Sequence, residues 1–266
     1  MATNIASSDI LPLSVQQAAA ARQLGAFKKV YKTNSNKSIV AAIFFMAGAV
    51  FFSAGGIFPP PSALSVTTRV ILLMFALLML VLVTYLFATV IQIANRRVYL
   101  FQRGIVIEKR NQVQTLPWNQ VAEIWQSITR RYRNGAYVGT SYVYTLRRED
   151  GYRIKLDNLT KDIAELGPTV AQGIAQELIP RALQSMRAGQ TLGFAPFSVN
   201  QQGISNEREF IPWSQVQAID VKQGRLTIKK TGMSRGWDTA MVAKIPNYLV
   251  FTVVAEEMRR LAGNAR

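Results

Sequence analysis

Residues Ser38 to Asn95 read SIVAAIFFMAGAVFFSAGGIFPPPSALSVTTRVILLMFALLMLVLVTYLFATVIQIAN, and Arg69 is the only charged residue among them. Arg69 divides two apolar runs, Ile39 to Phe58 and Val70 to Ala94. A helix rises about 1.5 Å per residue, so roughly 20 residues cross a hydrocarbon core of about 30 Å. Both runs reach that length. The reading is an N-terminal two-helix transmembrane hairpin with spans 39–58 and 70–94. The second run holds about fifteen Leu, Ile, Val or Phe side chains, on the order of −5 to −8 kcal/mol of insertion, and enters the bilayer unaided. The first dilutes its Phe residues with Gly48, Ser53, Gly55 and Gly56 and depends on a neighbour. Ala49, Ser53 and Gly56 fall at helical spacing and admit close approach by the second span or by another copy of the chain. Pro59-Pro60-Pro61 cannot continue a helix, since proline lacks the N–H and clashes with the preceding turn.

Charge outside this stretch gives the orientation. The chain has 266 residues and a net charge of +16. Arg22, Lys28, Lys29, Lys32 and Lys37 precede the first run, and Arg96, Arg97, Arg103, Lys109 and Arg110 follow the second. The positive-inside rule places both termini in the cytoplasm. Basic side chains beside a membrane also gain roughly 1 kcal/mol each from anionic headgroups. No helix-turn-helix, zinc pattern or aromatic single-strand platform accompanies the charge, so nucleic acid is not assigned as a partner.

Cysteine and histidine are both absent. Disulfides, thiolate metal sites, cysteine nucleophiles and imidazole bases go with them. Carboxylates are scattered, with no pair spaced as a general acid and base. Glu149-Asp150 before Gly151 reads as turn chemistry, and Glu256-Glu257 beside Arg259-Arg260 as a charged helix face. Lys230-Thr231-Gly232 lacks the companion Ser-x-x-Lys and Ser-Asp-Asn motifs of penicillin-binding enzymes. No Walker or dinucleotide glycine pattern occurs. The expectation is a protein that is not an enzyme, with no catalytic residue, cofactor or metal ligand.

The N-terminal segment 1–37 reads as a basic leader, partly helical. Met1 to Pro12 is small and polar, in the manner of disordered termini. About 37 residues before the first apolar run argue against a signal peptide. Val15 to Arg22 has strong helix propensity. Phe27, Val30 and Tyr31 opposite Lys28, Lys29 and Lys32 fit either an interfacial helix or a flexible basic segment.

After Asn95 the period becomes alternating. Val98 to Phe101 and Ile105 to Ile107 read as strands about the turn Gln102-Arg103-Gly104, followed by strands at Val121 to Ile128, Ser141 to Leu146 and Tyr152 to Leu156. A helix closes the series on the stripe Ile163, Leu166, Val170, Ile174 and Leu178, with Asn158 or Thr160 as cap and Pro180 bending or ending it. Gly104-Ile105 followed by Leu116-Pro117-Trp118-Asn119-Gln120-Val121 and Ile124 returns as Gly203-Ile204 followed by Ile211-Pro212-Trp213-Ser214-Gln215-Val216 and Ile219. The second copy continues with strand Leu226 to Ile228 and a helix striped by Val250, Val254, Met258 and Leu261, capped by Asn247. Two units of strands followed by one helix result, 96–188 and 189–266.

This order of Gly-turn hairpin, aliphatic-Pro-Trp-polar-Gln-Val step, further strands and terminal helix resembles the bacterial pleckstrin-homology-like domain. With its Leu24-Gly25 leader and Tyr31-Lys32 entry to the first span, the chain is similar to an uncharacterised family of bacterial two-span membrane proteins. The resemblance implies an α+β membrane protein with two pleckstrin-homology-like units, each a curved antiparallel sheet with a terminal helix, in a bacterial plasma (inner) membrane. It implies no catalytic residue. Headgroup capture by the first hairpin loop is not carried over, because Gln102-Arg103-Gly104 and Gln201-Gln202-Gly203 are short and weakly charged.

The candidate contact surfaces are few. Arg130, Arg131 and Arg133, in a loop between strands, with Arg96 and Arg97 beside the second span, are candidates for anionic lipid, since guanidinium groups bind phosphate bidentately. Trp125 and Trp237 are candidates for a protein partner. Trp118 and Trp213 read as packing residues. The expected function is a membrane-anchored cytoplasmic binding or scaffolding module, engaging the lipid bilayer and a protein partner or itself. The alternative is a subunit of a small oligomeric membrane assembly, a channel or transport accessory.

Overall fold

The structure, a computed structural model, describes residues 11–33, 36–57, 65–94, 96–110, 112–233 and 236–264. The turn at Pro59-Pro60-Pro61 and the start of the leader, Met1 to Ile10, lie outside them. Helix α1 (Leu13–Ala21) leads into strand β1 (Phe27–Lys32), and two long helices follow, α2 (Asn36–Ile57) and α3 (Val66–Ala94). The chain then enters β2 (Arg97–Phe101), which pairs antiparallel with β1, Lys32 opposite Arg97 and Tyr31 opposite Val98. The two helices therefore interrupt a β-hairpin. Phe27 to Lys32, read from sequence as an interfacial helix or a flexible leader, is a strand instead. Its aromatic and β-branched residues suit a pleated surface, and β2 would otherwise be a bare edge. Tyr31 is buried in the core beneath it.

The expected two-helix transmembrane hairpin is corrected. Among the described residues one helix is long and apolar enough to cross a membrane, Val66–Ala88 within α3. Helix α2 packs along α3 and carries the small residues Gly48 and Ser53 within its length.

The expected single curved sheet per unit is corrected as well. In the first unit β1, β2, β3 (Gly104–Lys109) and β4 (Gln112–Pro117) form one sheet, and β5 (Val121–Arg133), β6 (Ala136–Arg148) and β7 (Arg153–Asp157) form another. Helix α4 (Ile163–Arg187) follows. The second unit repeats the plan. Strands β8 (Leu192–Phe194), β9 (Phe197–Val199), β10 (Gly203–Ser205) and β11 (Phe210–Pro212) make a four-stranded sheet, and β12 (Val216–Lys222), β13 (Arg225–Lys230) and β14 (Asp238–Met241) a three-stranded one, before helix α5 (Tyr248–Asn264). The repeated Pro-Trp step explains the split. Pro117 and Pro212 have no N–H for a ladder, and each is followed by a single 3-10 turn, Trp118–Gln120 or Trp213–Gln215, that takes the chain out of the first sheet into the second.

The repeated glycines mark the tightest crossings at these corners. A Cβ on Gly104 would lie 2.7 Å from the Leu116 carbonyl oxygen, and one on Gly203 would lie 2.1 Å from that of Ile211. Trp118 and Trp213 are buried, each donating its indole N–H to a backbone carbonyl, Gln102 at 3.3 Å and Asn200 at 2.8 Å.

Helix α4 belongs to both units. Ile163, Leu166, Val170 and Ile174 pack in the first core, while Ala175, Leu183 and Met186 pack in the second with Phe197, Phe251 and Trp213. The first set flanks Pro168 and the second carries the helix past Pro180 to Arg187, so Pro180 does not end it. Neither expected cap residue caps it. Asp162 occupies the N-cap, Thr160 is buried beside β1, and Asn158 is bonded to β6. A smaller core of Val15, Leu24, Tyr99, Phe101 and Val106 lies between α1 and the outer face of β2 and β3.

The units are also joined at Asn247. Its side-chain oxygen accepts from the Ile124 N–H at 2.9 Å, its amide donates to the Ala122 carbonyl at 2.8 Å, and its own backbone N–H donates to the Ile124 carbonyl at 2.9 Å. Sequence reading gave this side chain to the N-terminus of α5; it serves β5 instead. Asn247 has φ +51°, which glycine tolerates. Asn247→Gly is therefore expected to lose the clamp without backbone strain, at about 1–3 kcal/mol, seen as a melting temperature several degrees lower for the detergent-purified chain. An unchanged melting temperature would show that the clamp contributes nothing.

Candidate functional site

Arg130, Arg131 and Arg133 do not sit in a loop. They occupy the outer half of β5, which with β6 runs past the end of β7 as a two-stranded ribbon. Strand β7 pairs with residues Val143 to Arg147 of β6, whereas β5 and β6 continue pairing to Arg133 opposite Ala136. Asn134 and Gly135, at φ +51° and +78°, close the ribbon as a two-residue turn of the primed kind that matches strand twist. From Ser127 to Arg133 the strand rise of about 3.3 Å per residue gives an arm of about 20 Å.

The second unit lacks this arm. There β12 and β13 close directly on Gln223 and Gly224, with Lys222 opposite Arg225. Ser127 opposite Val143 is the matching pair in the first unit, so residues 128–142 stand where the second unit has a tight turn.

The arm continues the core-facing side of its sheet into solvent. Ile124 and Leu146 are buried and Tyr142 is partly so, but Ile128 is 50% exposed, Tyr132 61%, Tyr137 58% and Val138 59%. The Tyr132 and Tyr137 rings meet edge to face at 5.9 Å. Three arginines and no carboxylate lie between Gln126 and Tyr142.

The base of the arm is tied to the root of the long helices. Asn158 donates to the Thr140 carbonyl at 2.9 Å and accepts from the Tyr142 N–H at 2.6 Å. Two residues on, Thr160 bridges Thr33 at the exit of β1. The Thr33 hydroxyl donates to the Arg96 carbonyl at 2.6 Å, where α3 returns to the sheet. Three residues of extended chain span at most about 10 Å, so arm and helices leave the first unit from one end.

Arg96 is half-buried at that root. Its guanidinium donates to the Lys155 carbonyl at 2.7 Å, and burial pulls its pKa below the ordinary arginine value against the opposing pull of Asp157 and Tyr152. It braces the root rather than facing outward. Arg97 is exposed and stands opposite Glu108 in the β2–β3 ladder. The tryptophans offered for a partner are both half-buried. Trp125 lies under the Arg153 guanidinium at 5.7 Å. Trp237 donates to Glu209, which also receives Lys230, both at 2.8 Å. The structure places the arm arginines on one strand, with Trp125 nearer the base of that strand and Trp237 in the second unit. An open groove of about 530 Å³ on the second unit is lined by Leu183, Ile219, Val253 and Glu256. Among the described residues no His, Cys, Asp or Glu group could hold a metal ion.

The chain belongs to a family of unknown function, DUF6585, whose model matches residues 1–262. No curated protein and no solved structure matches it. The family description names no activity, fold or partner.

Sequence reasoning found the arginines and missed the apolar residues beside them. The signal was present. Asn-Gly between alternating aromatic and polar residues is the strongest short-range mark of a hairpin, and Tyr132-Arg133-Asn134-Gly135-Ala136-Tyr137 has that form.

A charged tie holds β1 to α4 beside this root. The Glu165 carboxylate accepts from Lys29 Nζ at 2.7 Å and from the Tyr31 hydroxyl at 3.0 Å, and these bonds hold its pKa below the usual glutamate value. A lowered carboxylate pKa means the tie holds at neutral pH and is lost as pH falls through the lowered value. Titration of Glu165 by carbon NMR is expected to give a midpoint below that of a free glutamate, moving upward in Tyr31→Phe. A midpoint at the ordinary value would show that the tie does not persist in solution.

Proposed function

We propose that the protein is a membrane-anchored binding or scaffolding module without catalytic activity, holding its two repeated units on the cytoplasmic face of a bilayer. One observation carries this reading. The 23-residue segment Val66–Ala88 of α3 is apolar enough to cross a membrane, and almost none of it is buried, Val83 being the exception among the described residues. A core helix of a water-soluble domain would cover those side chains. Lys32 pairs with Arg97, so strand β1 is held beside the strand into which α3 runs. The basic residues at that root, Lys28, Lys29, Lys32, Arg96 and Arg97, support the cytoplasmic side. The units offer open sheet edges and the groove beside α5 to a protein partner or a second copy.

The alternative role, a subunit of a small oligomeric membrane assembly, draws on α2. A Cβ added at Gly48 would meet nothing within 4 Å, so α3 leaves that position open to a helix from another copy.

The anchoring reading is tested by fractionation. The full chain is expected to stay with membranes through alkaline carbonate and to leave them only in detergent. Leu78→Lys with Val81→Asp places two charges at mid-helix, each opposing insertion by about 2.5–3.5 kcal/mol, and is expected to move the chain to the supernatant. Wild-type chain in the carbonate supernatant would overturn the reading.

A further inference from the structure

We propose that the β5–β6 arm is a second membrane contact, laying its aromatic tip into the headgroup region of an anionic bilayer beside the point where α3 enters. The inference rests on α3 as the anchor and adds to it a partner for the arm.

Three observations carry it. The first is placement. Asn158, Thr160 and Thr33 link the base of the arm to the exit of β1 and the return of α3 through consecutive hydrogen bonds. A ribbon of about 20 Å rooted there has the bilayer surface within reach.

The second is chemistry. Tyrosine is favoured at the membrane–water boundary because its ring is apolar and its hydroxyl is wet. Tyr132 and Tyr137 are both exposed, with Ile128 and Val138 beside them. Arg130, Arg131 and Arg133 stand on the same ribbon with no carboxylate to neutralise them, which suits phosphate groups at the same depth.

The third is the internal comparison. At the matching place the second unit, which carries no membrane helix between its first two strands, makes a two-residue turn of Gln223 and Gly224. The extension occurs only in the unit joined to the long helices. Exposed Ile and Tyr on an uncovered ribbon are an aggregation hazard in water, and the lipid boundary supplies their cover.

Absence of native cysteine makes the test direct. Val138→Cys in the full chain is labelled with a nitroxide and reconstituted into phosphatidylcholine vesicles with or without phosphatidylglycerol. Power saturation then compares accessibility to oxygen and to a water-soluble nickel complex. Val221→Cys, near the short turn of the second unit, is the aqueous reference. The expected result is a several-fold rise in the oxygen-to-nickel ratio at position 138 in the anionic vesicles, no rise at 221, and loss of the rise in Arg130→Gln/Arg131→Gln/Arg133→Gln.

Flotation of the same vesicles reports the anchor separately. Chain that floats while position 138 stays as aqueous as 221 would overturn the arm contact and leave the anchor standing. Chain that does not float would overturn both. A change at 138 produced by inorganic phosphate in solution, without a rise in oxygen access, would identify a phosphate-binding ribbon and overturn the membrane contact.

Discussion

The pairing of β1 with β2 is the constraint on which the rest depends. Those strands are separated in sequence by both long helices, yet they meet in register, Lys32 opposite Arg97 and Phe27 near Phe101. Closing so long a loop is entropically unfavourable, though the cost grows slowly with length. It is offset by burial of Tyr31 in the first core and of Leu24 and Val15 against the outer face of the same sheet. As a result the helices form the loop of a hairpin rather than a tether, and their root is as rigid as the sheet that holds it.

That root organises the first unit around one end. Thr33, Arg96, Lys155 and Thr160 interlock there through backbone and side-chain hydrogen bonds, with Lys29, Tyr31 and Glu165 alongside. The ribbon of β5 and β6 departs from the same place. The second unit has the same two sheets and terminal helix but neither the long helices nor the ribbon, and its first two strands are joined by Ala195 and Pro196 alone. Comparing the repeats separates what builds the unit from what has been added to the first. Gly-Ile, Pro-Trp and the terminal helix build it; the helices and the ribbon are the additions.

The two units are joined because α4 packs into both cores and Asn247 reaches across to β5. Tyr144 illustrates how tightly α4 is seated. A Cβ on Gly167 would fall 2.0 Å from its ring, and burial pushes its phenol up to about 12. A helix with two prolines stays continuous here because its side chains have somewhere to pack on either side of each.

Composition and period determined much of this protein by themselves. Apolar run length marked α3, the Gly-Ile and Pro-Trp repeat marked two similar units, and the stripes of α4 and α5 marked their buried faces except at Leu261, which is exposed near the end of α5. These signals are local, each a matter of composition or spacing within about 25 residues. What only the tertiary structure decided is non-local. Phe27 to Lys32 is a strand because β2 lies waiting far along the chain. Pro117 and Pro212 are corners between sheets rather than steps within one. Arg130 to Arg133 are strand residues because Ala136 to Thr140 pair with them, and Asn247 spends its amide on a neighbour distant in sequence. Pairing partners fix such states, and a partner far along the chain leaves no periodic trace in the segment it captures.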